Sequence, residues 1–164
     1  MSKPLPVRVS VSRAIAAPPG VLYDLVSDVT RMGEWSPETV SAEWLDGAHR
    51  ATVGARFKGT NVIGRTTWTT KPTVTEAERG VVFAFQVPGA SGGKWRYEFH
   101  PQGEGTTVVE SVVQDKPSPF LIRLLQRRAG VTDRSEHLRQ GMATTLSRLG
   151  AAACVPGGER TLVA

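Results

Sequence analysis

Cysteine occurs once, at Cys154, which leaves the chain without an internal disulfide. A lone thiol near a helix end is read as a small, buried or half-buried apolar group rather than a nucleophile. No apolar run approaches the ~18 residues of a helical membrane span, so stable membrane insertion is not expected. The opening stretch MSKPLPVRVS has one lysine and no apolar segment behind it. No signal peptide is expected there, and the expected compartment is the cytoplasm. His49, His100 and His137 lack a spaced His, Cys or carboxylate partner, so no metal is expected. The glycine patterns of nucleotide sites and the G-x-S-x-G nucleophile turn are missing too, and no cofactor is expected. Internal repeats, low-complexity segments and signs of a second domain are likewise absent.

What is present suits one globular domain. At 164 residues with 40% hydrophobic content, a chain buries roughly 70% of the surface it would expose unfolded. Residues 1–155 are expected to form that domain and 156–164 a flexible tail, in a monomer or homodimer. The net charge of +5 is concentrated late in the chain. Between residues 117 and 150, Arg123, Arg127, Arg128, Arg134, Arg139 and Arg148 face only Asp133 and Glu136. Such a patch suits an acyl-carrier protein, a phosphorylated ligand or an acidic membrane surface, and equally a solvated helix face. Nucleic acid is not an expected partner, because no recognition motif accompanies the arginines.

Period-two alternation predicts a first strand over residues 7–15, with Val7, Val9 and Val11 on one face. A short helix over 21–26 and a helical turn over 31–37 follow. Six strands are then predicted at 38–45, 55–63, 66–78, 81–87, 94–100 and 106–114, each bounded by glycine or proline. Strands this close in sequence form an antiparallel meander. Ser118 is a candidate cap for a helix over 120–128. The longest helical period covers 132–153, where Leu138, Met142, Leu146, Leu149 and Ala153 make one stripe. Asp133 and Glu136 have capping-box spacing at its start, and Pro156 with two glycines closes it. The fold class is therefore α+β: a curved antiparallel sheet of seven strands wrapped around a long C-terminal helix, with two short helices after strand 1.

The order of these elements resembles the START-like, or SRPBCC, superfamily with its helix-grip fold, and within it the polyketide cyclase/dehydrase-type proteins of actinobacteria. The strings that carry the resemblance are AAPPGVLYDLVSDVTRMGEWSPE (residues 16–38), GARFKGTN (54–61), TTWTTKPTVTEAERGVVFAF (66–85), KWRYEF (94–99) and TTVVES (106–111). The resemblance implies a chamber between sheet and helix for a hydrophobic small molecule such as a lipid, isoprenoid or polyketide. The function it implies is binding of that molecule, with cyclisation or dehydration of a polyketide in natural product biosynthesis as the catalytic reading. A lipid, quinone or metabolite carrier without turnover is the alternative. A third reading is a module that docks on an acidic protein through its arginines.

The residues point to the same chamber. Trp95, Tyr97 and Phe99 share one face of their strand, Phe83 pairs with Phe85, and Phe57, Gly59 and Asn61 point together. With Trp68, these are the candidate ligand contacts. Gly141 interrupts the long helix beside Met142 and leaves room for a ligand or for a strand. Trp35 is read as a lid contact or as packing. Glu34 and Glu38 beside it are an acid/base pair or two solvated loop carboxylates. GASGG (89–93) reads as a hairpin over the chamber mouth. Asn61 either orients a ligand carbonyl or ends a strand near Gly64. Glu110 is a buried acid or base if Val108 and Val112 face inward, and a solvent charge if Val109 and Val113 do. The catalytic assignment under test is Glu110 as base with Asn61 or Tyr97 as carbonyl partner.

Overall fold

The computed structural model describes residues 6–89, 92–116 and 119–154. The expected tail, the proline-glycine helix stop, the Ser118 cap and the middle of the GASGG turn lie outside them.

The first strand, β1 (Val7–Ile15), leads through α1 (Pro19–Ser27), a 3-10 turn (Val29–Arg31) and α2 (Met32–Trp35) into the meander. Proline opens α1, where its missing N–H costs nothing, and Asp28 caps the 3-10 turn by accepting from the Thr30 N–H at 3.2 Å. The meander runs β2 (Thr39–Trp44), β3 (Phe57–Ile63), β4 (Thr66–Thr70), β5 (Thr73–Glu78), β6 (Val82–Gln86), β7 (Lys94–Gln102) and β8 (Gly105–Gln114). Every pairing is antiparallel, in the orders β1-β8-β7-β6-β5 and β2-β3-β4. Where one strand over 66–78 was expected, there are two, so the described residues form eight strands rather than seven. Pro72 breaks the run, having no N–H to donate and a fixed φ. The two groups still join at this break, because the Phe57 N–H bonds the Pro72 carbonyl at 3.2 Å and the Val74 N–H bonds the Ala55 carbonyl at 2.8 Å. The result is one curved sheet.

After β8 come α3 (Phe120–Arg128) and the long α4 (Arg134–Ala153). Asp133 caps α4, accepting from the Ser135 and Glu136 N–H groups at 2.9 and 3.2 Å. The expected capping box is half made. Glu136 turns outward to Arg139 and Gln140, at 3.0 and 3.1 Å. Of the predicted stripe, Leu138, Met142, Leu146 and Leu149 are buried, while Ala153 is half-buried. Cys154, just past the helix end, is exposed rather than buried or half-buried.

The core explains where the space is. Leu146 and Leu149, on the C-terminal half of α4, pack with Leu22, Tyr23 and Val26 of α1 and with Phe83 and Phe99 of the sheet. Tyr23 meets Phe99 edge-on at 5.9 Å between ring centroids. At the other end of α4, Leu138 and Met142 form a small separate cluster with Val9 and Val112, against which the half-buried Val7, Val11 and Trp95 pack. Helix and sheet grip tightly at one end and diverge at the other, and the chamber lies where they diverge.

Candidate functional site

The chamber has a volume of about 800 Å³, the size of a pocket that takes a drug-sized ligand. Its walls are the stretch from Ser36 to Thr39 that leads into β2, together with β3, β4, β6 to β8, α3 and the N-terminal half of α4.

Glu110 lies in the wall from the centre of β8. The alternation along β8 buries Thr106, Val108, Glu110, Val112 and Gln114, which selects the inward register for Glu110. Strand pairing sets Glu110 between Val11 of β1 and Tyr97 of β7. The Tyr97 hydroxyl donates to Glu110 Oε1 at 2.8 Å. Glu110 Oε2 is buried and has no hydrogen-bond partner among the described residues. Burial pushes the Glu110 carboxyl up to about 8, against a smaller downward pull from the Tyr97 bond. Burial likewise pushes the Tyr97 phenol well above its ordinary range, and the neighbouring Glu110 adds to that. At neutral pH both groups hold their protons, so Glu110 presents an O–H rather than a carboxylate.

Asn61 also lines the chamber, held from both sides. Its Oδ1 accepts from the Thr39 hydroxyl at 2.7 Å, and its Nδ2 donates to the Thr70 hydroxyl at 3.4 Å. The side chain thereby ties β2, β3 and β4 together, and one amide hydrogen is left over. Phe57, Trp68, Phe85, Trp95, Gly141 and Met142 complete the predicted residues found in the lining. Phe57 and Phe85 meet edge-on at 5.2 Å, and Phe85 stacks on Trp95 at 6.5 Å.

Trp35, Phe83 and Phe99 are in the core instead, outside the lining. Phe99 shares the inward face of Trp95 and Tyr97 but lies where α1 closes the space, against Tyr23. Phe83 meets the same Tyr23 at 6.5 Å. Trp35 is buried with the Arg31 guanidinium over its ring at 5.2 Å. Glu34 and Glu38 do not form a pair. Glu34 is at the surface, bound to Arg31 at 2.8 and 2.9 Å, whereas Glu38 enters the chamber wall.

Glu38 belongs to a cluster that sequence reasoning missed. The Arg134 guanidinium donates to both its oxygens, at 3.1 and 3.2 Å, and His137 Nε2 lies 3.6 Å away. All three line the chamber. Burial works to raise the Glu38 carboxyl, but the nearby His137 ring and the Arg134 guanidinium outweigh it and hold the group below its ordinary value. One signal pointed here: Arg134, Leu138, Gly141 and Thr145 recur at spacings of four, three and four, the stripe that faces the chamber.

The chamber thus has aromatic walls, a buried neutral acid in the β8 wall and a neutralised ion-pair cluster at α4. Residues 6–152 match the family of polyketide cyclase/dehydrase and lipid transport proteins. The chain belongs to this family. A polyketide-cyclase-like protein of Corynebacterium glutamicum, known from a solution structure, is 34% identical over 92% of this chain and 90% of its own, with a TM-score of 0.55. The ginseng major latex-like protein 151 of Panax ginseng has the same fold, with a TM-score of 0.70 at 13% identity over 93% of this chain and all of its own. So does the di-domain ARO/CYC protein StfQ of the steffimycin biosynthetic pathway, with a TM-score of 0.70 at 16% identity; the match spans 91% of this chain and 51% of that one. Comparison with curated proteins gives no match. Family and fold together support binding of a hydrophobic ligand in the chamber.

Proposed function

We propose that the chain binds a hydrophobic, carbonyl-bearing natural product of polyketide type and catalyses its cyclisation or dehydration. The observation that carries this reading is Glu110, a buried acid in an aromatic chamber with Oε2 unpartnered and Oε1 held by Tyr97. A carrier that only sequesters an apolar molecule has no use for such a group, whose burial costs stability unless something partners it.

The protonation state favours acid over base as the starting role. With a pKa of about 8, Glu110 is about nine-tenths protonated at pH 7. It then donates from Oε2 to a ligand carbonyl and stabilises the oxyanion that forms during aldol closure. In dehydration of a β-hydroxyketone, the Glu110 proton passes to the departing hydroxyl, the C–O bond breaks and water leaves. The resulting carboxylate takes the α-proton, which returns Glu110 to its acid form. Tyr97 is a positioning residue here, since its hydroxyl is engaged on Glu110. Asn61 offers its spare amide hydrogen to a second oxygen, and the aromatic walls fold the chain so that its ends meet.

The test is native mass spectrometry of the purified protein, identification of any released molecule, and turnover of that molecule or of a β-hydroxyketone probe. Glu110→Gln is expected to retain binding and lose about 10²-fold or more in turnover, the usual contribution of a positioned acid. If Glu110→Gln and Asn61→Ala both bind and turn over like the parent, this site is wrong.

A further inference from the structure

Helix α3 has an outer face that the chamber does not use. Ile122, Leu125, Gln126 and Ala129 recur at helical spacing and line the chamber. Phe120, Leu121 and Leu124 occupy the opposite side and are 78%, 65% and 37% exposed. None of the nine residues of α3 is buried. Beside the bare apolar strip are Arg123, Arg127 and Arg128, which form no ion pair among the described residues, and α3 itself contains no acidic residue.

Large apolar groups left in water on a short helix are costly unless something covers them. The charge pattern says what. Three guanidiniums with no carboxylate among them match a surface of closely spaced phosphates. Phe120 and Leu121, on the leading turn, match the apolar depth behind such a surface. Arginine stems reach along that boundary and place their heads at the headgroups, as in helices that lie in a membrane interface. A soluble acidic protein would supply the charge without the depth.

We propose that α3 docks the protein reversibly on an anionic phospholipid surface, with Phe120, Leu121 and Leu124 inserted and Arg123, Arg127 and Arg128 on the headgroup phosphates. Because the inner face of the same helix lines the chamber, docking brings the chamber wall to the lipid. The end of α3 lies against the β3–β4 turn, where a Cβ placed on Gly64 would be 3.7 Å from the Ala129 Cβ. The proposal is independent of the chemistry assigned to Glu110.

The experiment is co-sedimentation of the 164-residue chain with phosphatidylcholine vesicles, with and without phosphatidylserine. The parent is expected to sediment only with the anionic vesicles, and less as salt screens the charges. Reversing Arg123, Arg127 and Arg128 to Glu is expected to weaken partitioning by at least about a hundredfold, from roughly fivefold for each arginine lost, before the added carboxylates repel the surface. Phe120→Ser with Leu121→Ser is expected to weaken it by about tenfold or more. These positions are exposed, and unchanged far-ultraviolet circular dichroism checks that the variants keep the fold. The proposal is overturned if the parent ignores anionic vesicles or if the double serine variant binds them as well as the parent. It is also overturned if only a soluble acidic carrier protein is bound, with the same dependence on the arginines.

Discussion

Tyr97 and Glu110 face each other across adjacent strands, and the tyrosine hydroxyl donates a 2.8 Å hydrogen bond to one carboxyl oxygen while the other has no partner among the described residues. The pair is built from β-pairing alone, so its geometry does not depend on loops. Its consequences are measurable in protonation, stability and turnover.

Glu110 makes stability depend on pH in an unusual direction. Its folded value of about 8 lies above its ordinary value of 4.5, so between these limits the folded state holds a proton that the unfolded state releases. Its contribution is fully present below about pH 4.5 and is lost as pH rises through about 8, a change on the order of 5 kcal/mol. Glu110→Gln is neutral throughout and keeps an oxygen for Tyr97. In urea unfolding, the variant is expected to gain stability relative to the parent from pH 5 to pH 8. A constant difference across that range would mean Glu110 does not titrate there.

Removing the tyrosine hydroxyl should move the same titration. The Tyr97 bond pulls the Glu110 value down, so Tyr97→Phe is expected to raise it. The check is the pH at which the carboxyl carbon resonance of Glu110 shifts in the two proteins. A lower midpoint in the variant would contradict the pairing.

Glu38 behaves in the opposite sense. Arg134 and His137 hold it below its ordinary value, so its contribution is present above about pH 4.5 and is lost as pH falls through the lower folded value. Glu38→Gln leaves a mostly buried guanidinium without its charge partner. It is expected to cost about 3 kcal/mol near pH 7, with the gap to the parent closing on acidification. Urea titrations at pH 3 and pH 7 measure both effects.

Gly141 tests whether the helix is thinned for a ligand. A Cβ there would meet only the Pro37 Cγ at 3.5 Å, an ordinary contact. Gly141→Ala should raise stability by about 1 kcal/mol from helix propensity, read as a higher unfolding midpoint. Gly141→Leu should project into the chamber and weaken ligand binding at unchanged or higher stability. Full binding by the leucine variant would remove Gly141 from the site.

Much of this site was legible in local pattern. Alternation along β3 was enough to bring Phe57, Gly59 and Asn61 to one face, and a period of 3.6 found the buried stripe of α4. Alternation along β8 was ambiguous, because Val108 to Val113 are apolar on both faces. The register of Glu110 comes from β1 and β7 on either side. Phe99 obeyed its alternation and still missed the chamber, since facing says nothing about where α1 fills the space. The Glu38–Arg134 pair spans 96 positions, and no local spacing encodes it. The break at Pro72 was visible as a proline, yet the joining of β3 to β5 around it depends on tertiary hydrogen bonds.

The measurement that bears most directly on the account is the protonation state of Glu110 at neutral pH, by carbon-13 NMR of labelled side-chain carboxyls with Glu110→Gln to assign the signal. A protonated carboxyl at pH 7, ionising with a midpoint near 8, is the predicted result. A signal already in the carboxylate form at pH 6 would contradict the neutral acid on which the proposed chemistry rests.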